Sequence, residues 1–339
     1  MFTLGTNSSR TFQRYAMVCA KISRFIKLIG CDGTLSILGI NDSRICHIVI
    51  TFGVGFFENV DRAGRFEAIV DSKQLMMLLR TINLTTVDST RIWAVSDTVL
   101  SFQFTAGYGV CTTKRISHVD SLGWGRAEAP VIPPLPYSMI IRSVVLNKVL
   151  SSFAANSPTT VLALQVVGSD CLKLCNYDLM TTTNSTTTEI TLNVSELDAC
   201  NFGEGNLPPL TVPLSELKVL GAALQPDESA TLTFGTAGQP MLVRVRSAHL
   251  GLETTMTLAT GISAQIIHPV AAQHQMPAQE PEDLLNLIAS LPMELEATPR
   301  VLLTPVATPE PADDDDFVPG TPSQRQAGFD WAGQFNTLW

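Results

Sequence analysis

The chain has 339 residues, 45% of them hydrophobic and only 16% charged, enough apolar material for two domains of ordinary size or one large one. It has no uninterrupted apolar run of about 18 residues, and Met1 to Arg14 lacks the basic-then-apolar layout of a secretory leader, so neither a membrane span nor export is expected. Seven scattered cysteines, an odd number, point to reduced thiols inside a cell and away from a disulfide framework.

The net charge of −9 is unevenly placed. From Gly261 onward two basic residues, Arg300 and Arg325, face eleven acidic ones, so this part alone carries −9, and the preceding residues hold 20 of each sign. Up to Pro130 there are 14 basic residues against 10 acidic, and between there and Thr260 there are 6 against 10. Any contact with a polyanion must therefore come from where the charges lie, because the total is unfavourable.

In chain order, the first region opens with an amphipathic helix on which Tyr15, Val18, Cys19, Ile22, Phe25, Ile26 and Ile29 recur at three- and four-residue steps. Strands are expected at Thr34–Ile40 and Arg44–Phe52, joined by the turn-like Asn41-Asp42-Ser43. A second helix starts at Asp71, a natural N-cap, and carries Leu75, Met76, Leu78, Leu79 and Ile82. Three strand-like runs follow, at Arg91–Val95, Val99–Thr105 and Val110–Ile116. The Gly/Pro-rich stretch from Ser121 to Pro136 is an extended connector between a first domain, 1–120, and a second, 137–260.

The second domain repeats the order. A helix is expected around Val144–Ala155, then strands at Val161–Val166, Cys171–Tyr177 and Glu189–Asn193. A helix at Leu214–Leu224 is followed by strands at Ala230–Phe234, Met241–Val245 and Leu252–Leu258. Helix, strands, helix, strands, twice over, is a repeat of structure more than of letters and defines an α+β class. Residues 261–339, rich in Pro, Gln, Ala and acid, form an acidic, mostly disordered tail.

No catalytic motif stands out: there is no phosphate-binding loop, no nucleophile elbow and no His-Glu-x-x-His helix. Cys171 and Cys175 share one strand face and read as small apolar residues in preference to a metal pair. The densest carboxylate run, Asp313–Asp316, lies in the tail, where nothing holds it rigid for metal chemistry. No enzyme activity, cofactor or metal is expected. Basic residues are more telling. Arg10, Arg14, Lys21, Arg24 and Lys27 fall largely opposite the apolar stripe of the first helix, and Lys73 and Arg80 join them from the second. The matching helices of the second domain offer Arg142, Lys148 and Lys218. Singly these are ordinary solvated faces; lining a common channel, they would hold a phosphate backbone without reading its sequence.

The run from Gly30 to Phe57 resembles the Rad-nine subunit family of the heterotrimeric checkpoint clamp, with Leu35, Ile37, Asn41, Ser43, Arg44, Phe52, Phe56 and Phe57 on its "L-x-L-x-x-x-N-x-S-R" and "F-x-x-x-F-F" patterns. Cys111–Lys114, Pro240–Thr260 and the tail piece Val318-Pro-Gly-Thr-Pro322 are similar to further segments of that family. The resemblance implies a sliding-clamp fold of repeated β-α-β-β-β units. It implies a ring with two other clamp subunits around double-stranded DNA, an ATP-driven loader, and a nuclear location. It also implies that an apolar groove beneath the connector receives client peptides, with Leu122, Trp124, Val131 and Ile132 contributing. In such a family the tail is phosphorylated and recruits a phosphopeptide-binding checkpoint scaffold. Thr304, Thr308, Thr321 and Ser323 are the candidate acceptors here, each followed by Pro or Gln. Phe329, Trp331 and Phe335 are aromatic anchors in an otherwise polar tail. The competing expectation is a homotrimeric replicative clamp, which the acidic, Thr-Pro-bearing tail disfavours.

Overall fold

Alternation of apolar and polar residues fixes most of the strands. In β2 (Phe25–Cys31) and β3 (Thr34–Ile40) every second side chain is buried, so one face of the ribbon packs and the other is left for solvent or a covering segment. The computed structural model of the protein describes residues 1–61, 65–82, 86–119, 132–154, 157, 159–167, 171–179, 187–203, 209–247 and 250–262, all within one compact unit.

Four β-α-β-β-β units follow one another. The first comprises β1 (Phe2–Gly5), α1 (Thr6–Ile22), β2, β3 and β4 (Cys46–Phe52), followed by the two-residue β5 (Asn59–Val60). The second comprises β6 (Phe66–Asp71), α2 (Ser72–Arg80), β7 (Val87–Ser96), β8 (Val99–Ala106) and β9 (Val110–Ser117). The third comprises β10 (Tyr137–Arg142), α3 (Ser143–Ser151), β11 (Thr160–Val167), β12 (Cys171–Asp178) and β13 (Thr188–Asn193), with the short β14 (Ala199–Asn201) after it. The fourth comprises β15 (Leu210–Pro213), α4 (Leu214–Gly221), β16 (Ser229–Phe234), β17 (Met241–Ser247) and β18 (Leu252–Leu258), before β19 (Gly261–Ile262).

One expectation is corrected. The first helix ends at Ile22, where the Ser23 amide caps the Cys19 carbonyl at 2.8 Å, and Phe25, Ile26 and Ile29 belong to β2. The apolar spacing there fits both a helix and a strand; pairing of Ile26 and Leu28 with Gly39 and Ile37 of β3 decides for the strand. The short strands that lead into each helix, β1, β6, β10 and β15, were not legible in the sequence either. Asp71 caps α2 as expected, accepting from the Lys73 and Gln74 amides at 2.8 and 3.2 Å.

The strands form three sheets. The largest has nine strands in the order β14-β10-β16-β17-β18-β4-β3-β2-β6, and two five-stranded sheets run β5-β1-β7-β8-β9 and β13-β12-β11-β15-β19. The two halves of the chain meet in the nine-stranded sheet, where β18 pairs antiparallel with β4 from Leu252↔Phe52 to Leu258↔Cys46. At the end of this seam the Gly53 amide donates to the Gly251 carbonyl at 2.7 Å. A Cβ on Gly53 would stand 3.0 Å from that oxygen, and Gly251 has φ +60, so both positions favour glycine.

The helices lie on the buried side of the sheets. α1 packs beside α2 and α4, and α3 packs beside α4, giving a layer in the order α2-α1-α4-α3. Two polar contacts tie the halves together within this layer. The buried Tyr15 hydroxyl donates to the Glu228 carboxylate, 3.1 and 3.2 Å from its two oxygens, and one of these also accepts the Gln225 amide at 2.7 Å. Asn41 accepts from the Cys46 amide and donates to Glu216 of α4, each at 3.0 Å. This Asn and the left-handed Arg44 (φ 57) shape the β3–β4 turn. Phe12, Phe52, Phe56, Phe57, Phe2 and Phe66 continue from there as a chain of ring contacts with centroids 4.6 to 6.0 Å apart.

Tyr15→Phe leaves a 4%-exposed carboxylate short of a donor and should lower stability by about 1–3 kcal/mol in urea denaturation. Gly30→Val should destabilise by at least about 1–3 kcal/mol, because a Cβ there meets Phe66 at 2.5 Å and Phe2 at 2.7 Å.

Candidate functional site

The exposed face of the helix layer is almost free of acid. α1, α2 and α3 contain no Asp or Glu, and the single acid of α4, Glu216, is engaged by Asn41. Arg10, Arg14 and Lys21 lie along one line of α1, successively four and seven residues apart, which keeps them on one face. Arg14 is half-buried and donates to Thr11 at 3.4 Å; Arg10 and Lys21 are exposed. On α2, Lys73 and Arg80 flank Met77, itself 68% exposed, and on α3 Lys148 sits one turn beyond the exposed Val144. Side by side in one layer, these side chains form a shallow cationic surface whose charge comes chiefly from the first half.

Four expected members of this surface are placed differently. Lys27 is on β2, on the sheet face turned away from the helices, and pairs with Glu67 of β6 at 2.6 Å. Lys218 is half-buried on α4 and donates to the Phe153 carbonyl at 2.7 Å, stitching α4 to the end of α3. Arg24 follows α1 in the link to β2, exposed, with its guanidinium 5.1 Å from the Phe25 ring centre. Arg142 precedes α3 and lies 3.4 Å from Asp198, also spent on an ion pair.

The opposite face of the nine-stranded sheet carries a groove of about 470 Å³. Its wall is the stretch Ile132-Pro133-Pro134-Leu135, and its floor is built from outward positions of four neighbouring strands: His47 and Val49, Thr255 and Thr257, Leu242 and Arg244, and Thr233. Ile132, one of the candidate connector residues, lines this groove; Leu122, Trp124 and Val131 lie outside the described residues. The strand residues were missed, although the period-2 pattern of β4, β17 and β18 marks them as outward-facing. Burial drives the His47 pKa down to about 4, so the imidazole is held neutral in the folded chain.

Among the described residues, β9 pairs only with β8 and β13 only with β12, leaving one side of each open to another strand. Val110 is 60% exposed on β9, and Tyr108, just before it, is fully exposed at φ 62. Thr304, Thr308, Thr321, Ser323, Phe329, Trp331 and Phe335 lie outside the described residues. Among the described residues no group of three or more His, Cys, Asp or Glu is arranged to hold a metal ion.

Paired β-α-β-β-β units, helices on one face, the stretch Ile132–Leu135 on the other and open strand edges at β9 and β13 define a sliding-clamp fold. Solved clamps share the fold. The PCNA2–PCNA3 complex of Sulfolobus tokodaii superposes with a TM-score of 0.62 at 16% identity, covering 76% of this chain and 98% of that one. The A. fulgidus PCNA bound to the C-terminal region of FEN-1 gives 0.60 at 12%, covering 78% and 98%. Proliferating cellular nuclear antigen of Entamoeba histolytica gives 0.61 at 12%, covering 77% and 99%. Within this class the chain belongs to the Rad9 family, whose pattern it matches over residues 12–261. No curated protein sequence matches the chain.

The His47 shift has a testable sign. The unfolded imidazole, near 6.5, takes up its proton at higher pH than the folded one, so stability should fall as pH drops from 6.5 toward 4, by roughly 3 kcal/mol at most. His47→Gln should flatten that slope in denaturation curves recorded across this range.

Proposed function

We propose that this chain is one subunit of a heterotrimeric checkpoint clamp in the nucleus. The ring is loaded by an ATP-driven loader at damaged or stalled DNA, and it recruits checkpoint and repair proteins through its phosphorylated tail. The observation that carries the reading is the helix layer: cations on its exposed face, and no uncommitted carboxylate among its four helices. A surface of this kind attracts the phosphate backbone by charge alone, ignores base sequence and lets the polymer slide. The chain acts as a scaffold and not as an enzyme, and it uses no cofactor.

Open edges at β9 and β13 suit ring closure, each edge taking a strand from a neighbouring subunit. One of the fold's solved examples is a complex of two differently named PCNA chains, and another holds the C-terminal region of FEN-1. By analogy, unlike subunits flank this chain, and the groove under Ile132–Leu135 receives client segments. Phosphates on Thr304, Thr308, Thr321 or Ser323 would be gripped by a cationic pocket of the checkpoint scaffold.

Light scattering on a sizing column should show a monomer alone and a 1:1:1 trimer when the chain is co-expressed with two unlike clamp subunits. A homotrimer formed alone would favour the replicative clamp, and indifference to both partners would remove the ring. Within the trimer, Lys21→Ala and Lys73→Ala should each reduce the slope of log K for duplex DNA against log salt by about 1, on every sequence tested. Lys27→Ala should leave that slope unchanged.

A further inference from the structure

The groove is not purely apolar. Arg244 stands in its floor, exposed, and makes no hydrogen bond or ion pair with any described residue. Its cross-strand neighbours, Thr231 on β16 and Thr255 on β18, bring hydroxyls but no carboxylate. Two positions along the same strand, Arg246 shows the contrast, held by Glu253 through Nε at 3.0 Å and Nη2 at 2.9 Å. Other charge is scarce on this side of the sheet. On the outward positions of β4, β16, β17 and β18, the described residues add only the Arg246–Glu253 pair and His47, which burial holds neutral. The Arg244 guanidinium is an unanswered cation.

What surrounds it narrows the occupant. Arg244, Thr255, Val49 and Leu38 stand in one register row across β17, β18, β4 and β3, so the row runs from a cation to half-buried apolar side chains. Ile132, Pro133, Pro134 and Leu135 add an apolar wall. A nucleic-acid backbone needs cations in series, and the described residues of this floor offer a single unpaired one, so a polynucleotide fits poorly. A short peptide that sets one carboxylate beside apolar side chains fits well. A guanidinium accommodates a carboxylate through two parallel hydrogen bonds, and the apolar part of the floor takes its neighbours. Two strand spacings, about 10 Å, separate Arg244 from Val49, a distance that an extended peptide crosses in about three residues.

We propose that Arg244 sets the selectivity of the groove. It admits segments of other proteins that carry an aspartate or glutamate about three residues from a large apolar side chain, and it rejects segments that are apolar or basic throughout. The carboxylate sits on Arg244, and the apolar side chain lies on Val49 and Leu38. An uncharged occupant would strip water from the guanidinium and give it no partner, and a basic one would add repulsion to that loss. The inference rests on the reading of the groove as a client site and adds the chemistry by which a client is chosen.

The test selects random short peptides, displayed on phage, against the full-length chain, and then measures the enriched peptides by fluorescence anisotropy. They should carry Asp or Glu about three positions from Leu, Ile or Phe, and changing that acid to Asn or Gln should weaken binding about tenfold. Arg244→Glu should weaken the parent peptides by about as much and should prefer versions in which the acid is replaced by lysine. Val49→Asn and, independently, Thr233→Trp should weaken both sets, which places them in the groove, with circular dichroism spectra matching the parent chain. Peptides that respond to these two changes but carry no preferred acid and ignore Arg244→Glu would overturn the proposal and leave the groove a client site. No enrichment, or peptides indifferent to both Val49→Asn and Thr233→Trp, would overturn the two together.

Discussion

The backbone pairing of β4 with β18 is the constraint on which the remaining structure depends. Seven consecutive residue pairs, Cys46–Phe52 against Leu252–Leu258, turn two separate halves of the chain into one nine-stranded sheet. An unpaired strand here would expose a row of amides and carbonyls from both halves, so the seam forms wherever both halves fold. Once it has formed, the helices of the two halves are brought alongside one another, and Tyr15 can reach Glu228 and Asn41 can reach Glu216. Glycines at 53 and 251 let the backbones close at the end of the seam.

The same sheet divides the work of the molecule between its two faces. Inward positions such as Ile48, Ile50, Met256 and Leu258 are fully buried and support the helix layer that holds the cations. Outward positions on the same strands, His47, Val49, Thr255 and Thr257, make the floor of the groove. Because strand side chains alternate, a one-residue slip at the seam would exchange the two sets. Cationic surface and groove are therefore fixed by one register, and neither can be altered there without disturbing the other.

Much of this was legible in the sequence, and the failures have physical causes. Strands such as β3, β8, β12 and β18 and the helices α2, α3 and α4 follow from local periodicity, and Asp71 announces α2 by its side-chain chemistry. The start of β2 was hidden because Ile22, Phe25, Ile26 and Ile29 satisfy two periods at once, and only the pairing with β3 and β6 separates them. Lys27 was carried into the cationic surface by that error, and Glu67, its partner from a distant strand, could not be seen. Lys218 was on the expected helix but is consumed by a backbone carbonyl at a helix end, a contact that depends on how α3 and α4 cross. Of the groove only Ile132 was found, since a floor assembled from four strands has no continuous signature.

The distribution of thiols carries a practical consequence. Cys19 and Cys46 are buried, and burial drives both thiols well above the ordinary thiol range, leaving them inert. Cys111 and Cys200 are exposed, the first on the open strand β9 and the second on β14, the last strand of the nine-stranded sheet. Strand ends are where stray copies first touch, so oxidation in air would convert a passing edge-to-edge encounter into a covalent dimer. Handling under reductant keeps the β9 edge free of that cross-link.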